Sequence, residues 1–505
     1  MNSFYRAPTQ PGTPPAPAGR RLPSRTVTTS AVDRDPPPTR LARGVVPSRR
    51  LLVWLTLLAL ASRLLWVLLV HPPGDYVFSD MGMYVKRATD LAVHGPRSGA
   101  RDLAWQAYGT HFLLAGVFKL FGPNPPYRAA AVLWGTLGAA AVPLTYLLAC
   151  RILPTARLAA IAGVAALLWY PNLSTTGYFL SETPFLCVQL LSAYWLVRVI
   201  QEGKGASLAG VASAMCFMLR PQSAIFFVGV FALWSINFRR LAWVRVRQLA
   251  GVGVPLVLAL AFSMWRYHSH TGRWDGIAEN ANMNLTAGRC HNIVTQAFKN
   301  QADLDKSAKK AKTSDGRRVS LPSYRTLDVT FPPGHPLALN PAMDSETIRF
   351  VGYIGDPWIH RELRRECYRR TGIVGQIQYS VTNLLLQWFI SRQWPDNAKN
   401  RHIFLPISEV FRYGFQVFVL LPSLLGVGLG MARLRREPAL ALIALILLTS
   451  MVLAAVFFGD VRLRSPYDPY AIILALLAVH WFAERRRQRS AAAAAVPPAP
   501  AAATP

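Results

Sequence analysis

Charge is scarce in this sequence. Only 16% of its 505 residues are Asp, Glu, Lys or Arg, where a soluble domain carries about a quarter, so a single soluble enzyme domain is disfavoured. Acids are the scarcer sign: 25 against 55 Lys and Arg, a formal charge of +30. Such a basic excess would suit a nucleic-acid binder if the bases gathered on one folded surface. Here they punctuate long apolar runs, and no nucleic-acid partner is expected. Cysteine is scarce as well, with five residues at positions 150, 187, 216, 290 and 367, and neither a Cys-x-x-Cys pair nor a histidine cluster marks a zinc site. A Walker-type loop and a dinucleotide fingerprint are also lacking, so nucleotide-driven chemistry has no motif to rest on.

Apolar sequence is what abounds, in stretches near the roughly 20 residues that carry a helix across about 30 Å of hydrocarbon with its backbone groups paired internally. Ten such stretches are expected, at 51–70, 129–150, 158–170, 179–200, 207–219, 222–238, 249–267, 410–431, 439–458 and 470–483. An even number puts both termini on one side. That side collects Arg49 and Arg50, Arg151 and Arg157, Lys204, Arg239 to Arg247, Arg433 to Arg436 and Arg485 to Arg489. Basic loops of this kind are cytoplasmic. The fold class expected is therefore an all-α polytopic membrane protein of about ten transmembrane helices in a bacterial inner (plasma) membrane, with both termini cytoplasmic. The first apolar run follows too long a basic stretch for a cleaved secretory signal and reads as an anchor.

The opposite face holds a first outer loop and one long segment, too long to stay without structure. A small folded subdomain is expected there, with an interfacial helix near 373–394, where Ile373, Ile377, Val381, Leu384, Leu385, Trp388 and Phe389 recur at helical spacing. Cys290 and Cys367 are the two cysteines of this segment. In an oxidising compartment they are candidates for a disulfide, the alternative being two unrelated thiols.

Ionisable groups close to apolar spans are costly and become functional candidates. Asp80, Glu182, Arg220, Arg462 and Arg464 all map to the outer face. A carboxylate can take the proton of an acceptor hydroxyl, and arginine forks can hold a departing phosphate whose charge grows in the transition state. Two carboxylates and three arginines on one membrane surface thus suit a reaction on a lipid-linked phosphate. Each residue also has an ordinary role open to it: Asp80 as a solvated loop acid, Glu182 as a helix cap, Arg220 as a partner of carbonyls freed by Pro221, Arg462 and Arg464 as lipid anchors.

The order of these residues resembles the C-type (GT-C) glycosyltransferases, in the bacterial branch related to protein O-mannosyltransferases and the aminoarabinose transferase of lipid A. Ser79-Asp80-Met81-Gly82-Met83-Tyr84 resembles the family's first-loop Asp followed by Tyr, and the stretch Tyr108 to Gly122 its amphipathic segment. Tyr170-Pro171 with Ser181-Glu182, then Arg220-Pro221 and Arg462-Leu463-Arg464-Ser465-Pro466, resemble three further elements in the same order.

The resemblance implies an integral membrane glycosyltransferase, hexosyl- or pentosyl-, moving a sugar from a polyprenyl-phosphate donor to a protein, lipid or glycan hydroxyl on the periplasmic side, in cell-envelope or protein glycosylation. Asp80 would be the catalytic base of an inverting transfer. Glu182 would orient a substrate or help bind a divalent ion, Mg or Mn being the candidate cofactor. Tyr84, Arg220, Arg462 and Arg464 would bind substrate. The division expected is a disordered tail at 1–50, a transmembrane catalytic module at 51–267 with its first outer loop at 71–128, a periplasmic subdomain at 268–409, C-terminal transmembrane helices at 410–483 and a disordered tail at 484–505. The rival from another class is a transporter or flippase of a lipid-linked or small solute, and a third reading is a non-catalytic scaffold.

Overall fold

The computed structural model describes residues 44–122, 124–237, 243–290, 294–296, 324–331, 346–353, 355–397 and 403–494. The first helix, α1 (Arg49–Leu65), starts where the Ser48 side chain accepts the Leu51 N–H, as an N-cap does, and runs into a π turn, Trp66–Val70. Two shorter helices follow, α2 (Asp80–His94) and α3 (Gly109–Phe121). Next come α4 (Tyr127–Ile152), α5 (Ala156–Leu168), α6 (Tyr170–Thr176), α7 (Glu182–Glu202), α8 (Ala206–Leu219), α9 (Ala224–Asn237) and α10 (Trp243–Thr271).

The long segment begins with α11 (Asn280–Arg289) and ends in α12 (Pro357–Leu385), a helix broken at Gly372, where φ is +59°. Between them lies a three-stranded antiparallel sheet of β1 (Val294–Gln296), β2 (Tyr324–Phe331) and β3 (Glu346–Tyr353), in that order, with Val294 opposite Thr330 and Tyr324 opposite Tyr353. The sheet adds strands to an otherwise helical fold. Its signal is the period-two alternation of Leu327-Asp-Val-Thr-Phe331, far shorter than an apolar run of membrane length. The chain closes with α13 (Leu405–Gly414), α14 (Leu421–Ala432), α15 (Pro438–Val456), the single turn α16 (Val461–Arg464) and α17 (Asp468–Ala494).

All ten apolar stretches fall on helices. Among the described residues, six helical segments are long and apolar enough to cross a membrane: Arg49–Val70, Tyr127–Ile152, Glu182–Glu202, Val246–Thr271, Leu405–Ala432 and Pro438–Val456. A seventh is the pair α5 and α6, bent by 44°. The stretches at 207–219 and 222–238 form apolar helices below spanning length, and the tenth lies within α17. That last helix continues through its Arg run to Ala494, where a disordered tail was expected from 484, because Ala and Arg are strong helix formers. Residues 1–43 and 495–505 of the two expected tails lie outside the described residues.

Large apolar side chains remain exposed on the outer faces of the spanning helices, among them Trp54 and Leu57 on α1, Val257 and Leu258 on α10 and Phe418 and Leu421 around the start of α14. Lipid tails are the solvent that suits such faces. The inner faces meet in one core, in which α7 is buried nearly all round. Arg63 of α1 is a charge buried within it: the side chain is 1% exposed and donates to the carbonyls of Leu167 (2.8 Å) and Ala166 (3.2 Å), the acceptors left open where α5 ends at its bend into α6.

Candidate active site

Four segments supply the polar cluster. Asp80 opens α2 and follows Ser79, the one residue other than glycine with positive φ among those described (+50°). Such a backbone is costly, and held strain of this kind collects at functional positions. Glu182 opens α7 and is 2% exposed. Arg220 ends α8 with extended backbone because Pro221 disfavours a helical residue before it. Arg462 lies on α16, whose start is capped by Asp460: its Oδ1 accepts the Arg462 backbone N–H at 2.7 Å.

The side chains interlock. Arg462 Nη1 donates to Asp80 Oδ2 at 3.1 Å, and its Nε lies 3.0 Å from Glu182 Oε1. Arg220 Nη2 lies 2.6 Å from the same Glu182 oxygen, and its Nε donates to Ser181 Oγ at 3.1 Å. Aromatic rings cover the two guanidinium groups, Trp394 at 4.4 Å from Arg462 and Phe185 at 5.3 Å from Arg220. Burial alone would lower the pKa of Arg462, but Glu182, Asp80 and Asp460 hold it above the ordinary value. The same crowding raises neighbouring acids. Tyr84 is pushed up to about 12, by burial first and then by Asp80 and Glu182, and burial raises Asp460 despite its arginine neighbours.

Asp80, Tyr84, Ser181, Arg220 and Arg462 line a cavity of about 560 Å³ whose other walls come from Trp105 and Gln106, from α11 and from the ends of α8 and α15. Asp80 is the ionisable group available there: its side chain is 32% exposed, and Oδ1 has no partner among the described residues. Glu182 is enclosed between two arginines and positions them. A carboxylate so engaged is poorly placed to serve as nucleophile or metal ligand. Among the described residues no group of three or more His, Cys, Asp or Glu could hold a metal ion, and Arg462 already stands between the two carboxylates. With Arg462 bridging them, Asp80 and Glu182 do not converge on one cation position.

Arg464, expected beside Arg462 on the phosphate, is a correction. It does not line the cavity; its side chain is fully buried, its Nε donates to Asp468 Oδ1 at 3.0 Å and its guanidinium lies 3.8 Å from the Phe415 ring centre. Asp468 in turn accepts from Trp169 Nε1 at 2.8 Å. Asp468 thus fastens the start of α17 to the α5–α6 bend, and Arg464 holds its carboxylate.

Other features of the site come from outside the sequence reading. Trp394, which covers Arg462, is two residues from Asp396, a buried carboxylate that accepts hydrogen bonds from the hydroxyls of Tyr170, Ser174, Tyr178 and Ser408. The only hint was an aspartate beside a Trp-Pro pair in a loop. Cys290 at the end of α11 is bonded to Cys367 of α12, the disulfide for which the sequence offered these two as candidates, and Arg101 ties the two regions again, with Nε 2.8 Å from Glu279 and Nη2 2.9 Å from Asp356. The remaining cysteines, Cys150, Cys187 and Cys216, are buried free thiols.

No family model and no curated protein sequence matches this chain. Solved structures align with it. The archaeal oligosaccharyltransferase AglB from Archaeoglobus fulgidus, in complex with an inhibitory peptide and a dolichol-phosphate, aligns over 89% of this chain and 52% of its own, at 11% identity and a TM-score of 0.42. ArnT from Cupriavidus metallidurans, bound to undecaprenyl phosphate, aligns over 90% and 82%, at 14% identity and a TM-score of 0.32. This chain is similar to both. It spans about half the length of AglB.

Proposed function

We propose that the protein is an integral membrane glycosyltransferase of the GT-C kind, which moves a sugar from a polyprenyl-phosphate donor to a hydroxyl acceptor on the periplasmic face. The observation that carries this reading is the pairing, at one end of the cavity, of a partly exposed carboxylate with two arginines that a buried glutamate holds in place.

Asp80 takes the proton of the acceptor hydroxyl as its oxygen attacks the anomeric carbon from the face opposite the phosphate. The bond from that carbon to the phosphate oxygen breaks, its electron pair stays on the oxygen, and polyprenyl phosphate leaves as the anion. Arg220 and Arg462 meet the charge that grows on that oxygen, and they do so already oriented, so little reorganisation is needed during the reaction. Inversion at the anomeric carbon follows from single displacement. A double displacement would need a second free carboxylate, and Glu182 is committed to the arginines.

The test is Asp80→Asn in the full-length membrane protein. It is expected to insert normally and still bind lipid phosphate, while transfer from the lipid-linked donor falls by about 10²- to 10⁴-fold, the usual worth of a general base. Full transfer activity in that variant would overturn the assignment.

A further inference from the structure

The cavity has a second wall of different chemistry. On α11, Asn280 and Asn284 lie one turn apart and both line the cavity. The opposite side of the same helix is taken: Arg364 Nη1 donates to the Asn282 carbonyl at 3.2 Å and to Thr286 Oγ1 at 3.1 Å. The side-chain amides of Asn280 and Asn284 have no partner among the described residues. Beside them stand Trp105 and Gln106, held against the start of α11 where the Asn280 N–H donates to the Trp105 carbonyl at 2.9 Å. Gln106 Oε1 accepts from Arg87 Nη1 at 2.8 Å, which fixes the amide plane and leaves its NH₂ group over.

Three primary amides and an indole, with no charged group among them, suit one kind of ligand. A primary amide offers a donor and an acceptor side by side, as neighbouring hydroxyls on a ring do. An indole face accepts the apolar C–H side of such a ring. A lipid chain would leave the amides unpaired at a cost, and a charged peptide would find no countercharge on this wall. We propose that Asn280, Asn284, Gln106 and Trp105 form the recognition wall for a sugar ring. The proposal rests on the transferase reading above and names the part of the site that selects the sugar, on the donor or on a glycan acceptor.

The test uses the purified full-length protein and three probes: bare undecaprenyl phosphate, the same lipid phosphate carrying a hexose or a pentose, and soluble methyl glycosides. Wild type is expected to bind one of the sugar-bearing lipids more tightly than the bare lipid. In the double variant Asn280→Ala/Asn284→Ala that preference drops by about tenfold, as the loss of one or two net hydrogen bonds would give, while bare-lipid affinity stays unchanged and reports that the fold is intact. Asn284→Asp, which keeps shape and adds charge, is expected to lose the preference as well. A loss confined to the methyl glycosides would place the acceptor sugar, rather than the donor's, on the wall. An unchanged preference for every sugar-bearing probe overturns the proposal. So does a wild type that binds no sugar-bearing probe better than its bare counterpart. Failure to bind bare lipid phosphate would instead overturn the transferase reading, and the glycoside arm would still test the wall.

Discussion

Residues two apart on a helical turn point about 200° away from each other, which is why Arg462 enters the cavity and Arg464 turns to Asp468. The sequence Arg-Leu-Arg reads as a repeated feature of one function; the helix divides it between a site and a structural tie. Asp80, Glu182 and Arg220 were legible because charges beside apolar spans stand out. Asn280 and Asn284 were not, since neutral amides in a long loop carry no signal until the fold sets them against a cavity. Asp396 was hidden for the opposite reason, three of its four hydroxyl partners coming from one distant segment around α6. Its pKa gives a sharp expectation. Burial raises it in the folded protein, only partly offset by the hydroxyls of Ser408, Ser174, Tyr178 and Tyr170. A raised acid pKa means that the folded state binds the proton more tightly than the unfolded state does. Ionisation therefore works against folding as pH climbs from the ordinary aspartate value of about 3.9 through the raised one. The melting temperature of wild type relative to Asp396→Asn should fall over that window and stay constant on either side of it. A difference that does not change with pH would show that Asp396 stays ionised without cost.

At the scale of elements, the site depends on a close junction. Asn383 of α12 donates through Nδ2 to the carbonyls of Gly288 (3.1 Å) and Phe457 (3.0 Å). A Cβ on Gly288 would fall 1.3 Å from the Phe457 oxygen, and one on Gly459 would fall 1.8 Å from the Asn383 oxygen. Both glycines are thus required by approach of backbone to backbone, and they bring α11 and the segment before α16 to one place. The disulfide secures the same corner by closing 77 residues of chain. Replacing Cys290 and Cys367 by Ser should destabilise the protein by about 2–4 kcal/mol, read as a lower melting temperature under non-reducing conditions that reductant does not lower further. The helix expected near 373–394 starts after Gly372, whose non-helical backbone separates it from a preceding helical stretch that begins at Pro357. The part beyond the break carries Ile373, Val374 and Ile377 at 81%, 69% and 59% exposure, an outward apolar stripe that the helical spacing in the sequence already described. The sheet before it alternates too briefly to show against so much apolar sequence.

Across the whole molecule, apolar length and the placement of arginine are the two properties that the sequence displays best, because a bilayer imposes both on any chain that crosses it. The apolar helices could be read one by one from that rule. Their bends could not, since the break between α5 and α6 depends on Arg63 arriving from another helix to take the freed carbonyls. Orientation is open to direct measurement. A fluorescent protein that matures only in the cytoplasm should glow when fused after Arg436 or at the C-terminus, and stay dark when inserted after Trp274; the reverse pattern would put the cavity on the cytoplasmic side. One further property follows from how the cavity is built. Asp80 and Arg462, joined by a single hydrogen bond, are 382 positions apart. A ribosome has therefore threaded most of the chain into the membrane before the carboxylate gains its cation. The site is completed only as the closing helices are installed, so under the proposed function a partly synthesised or truncated chain would hold the acid without the means to release a donor's phosphate. On that reading, competence waits for the segment that carries Arg462.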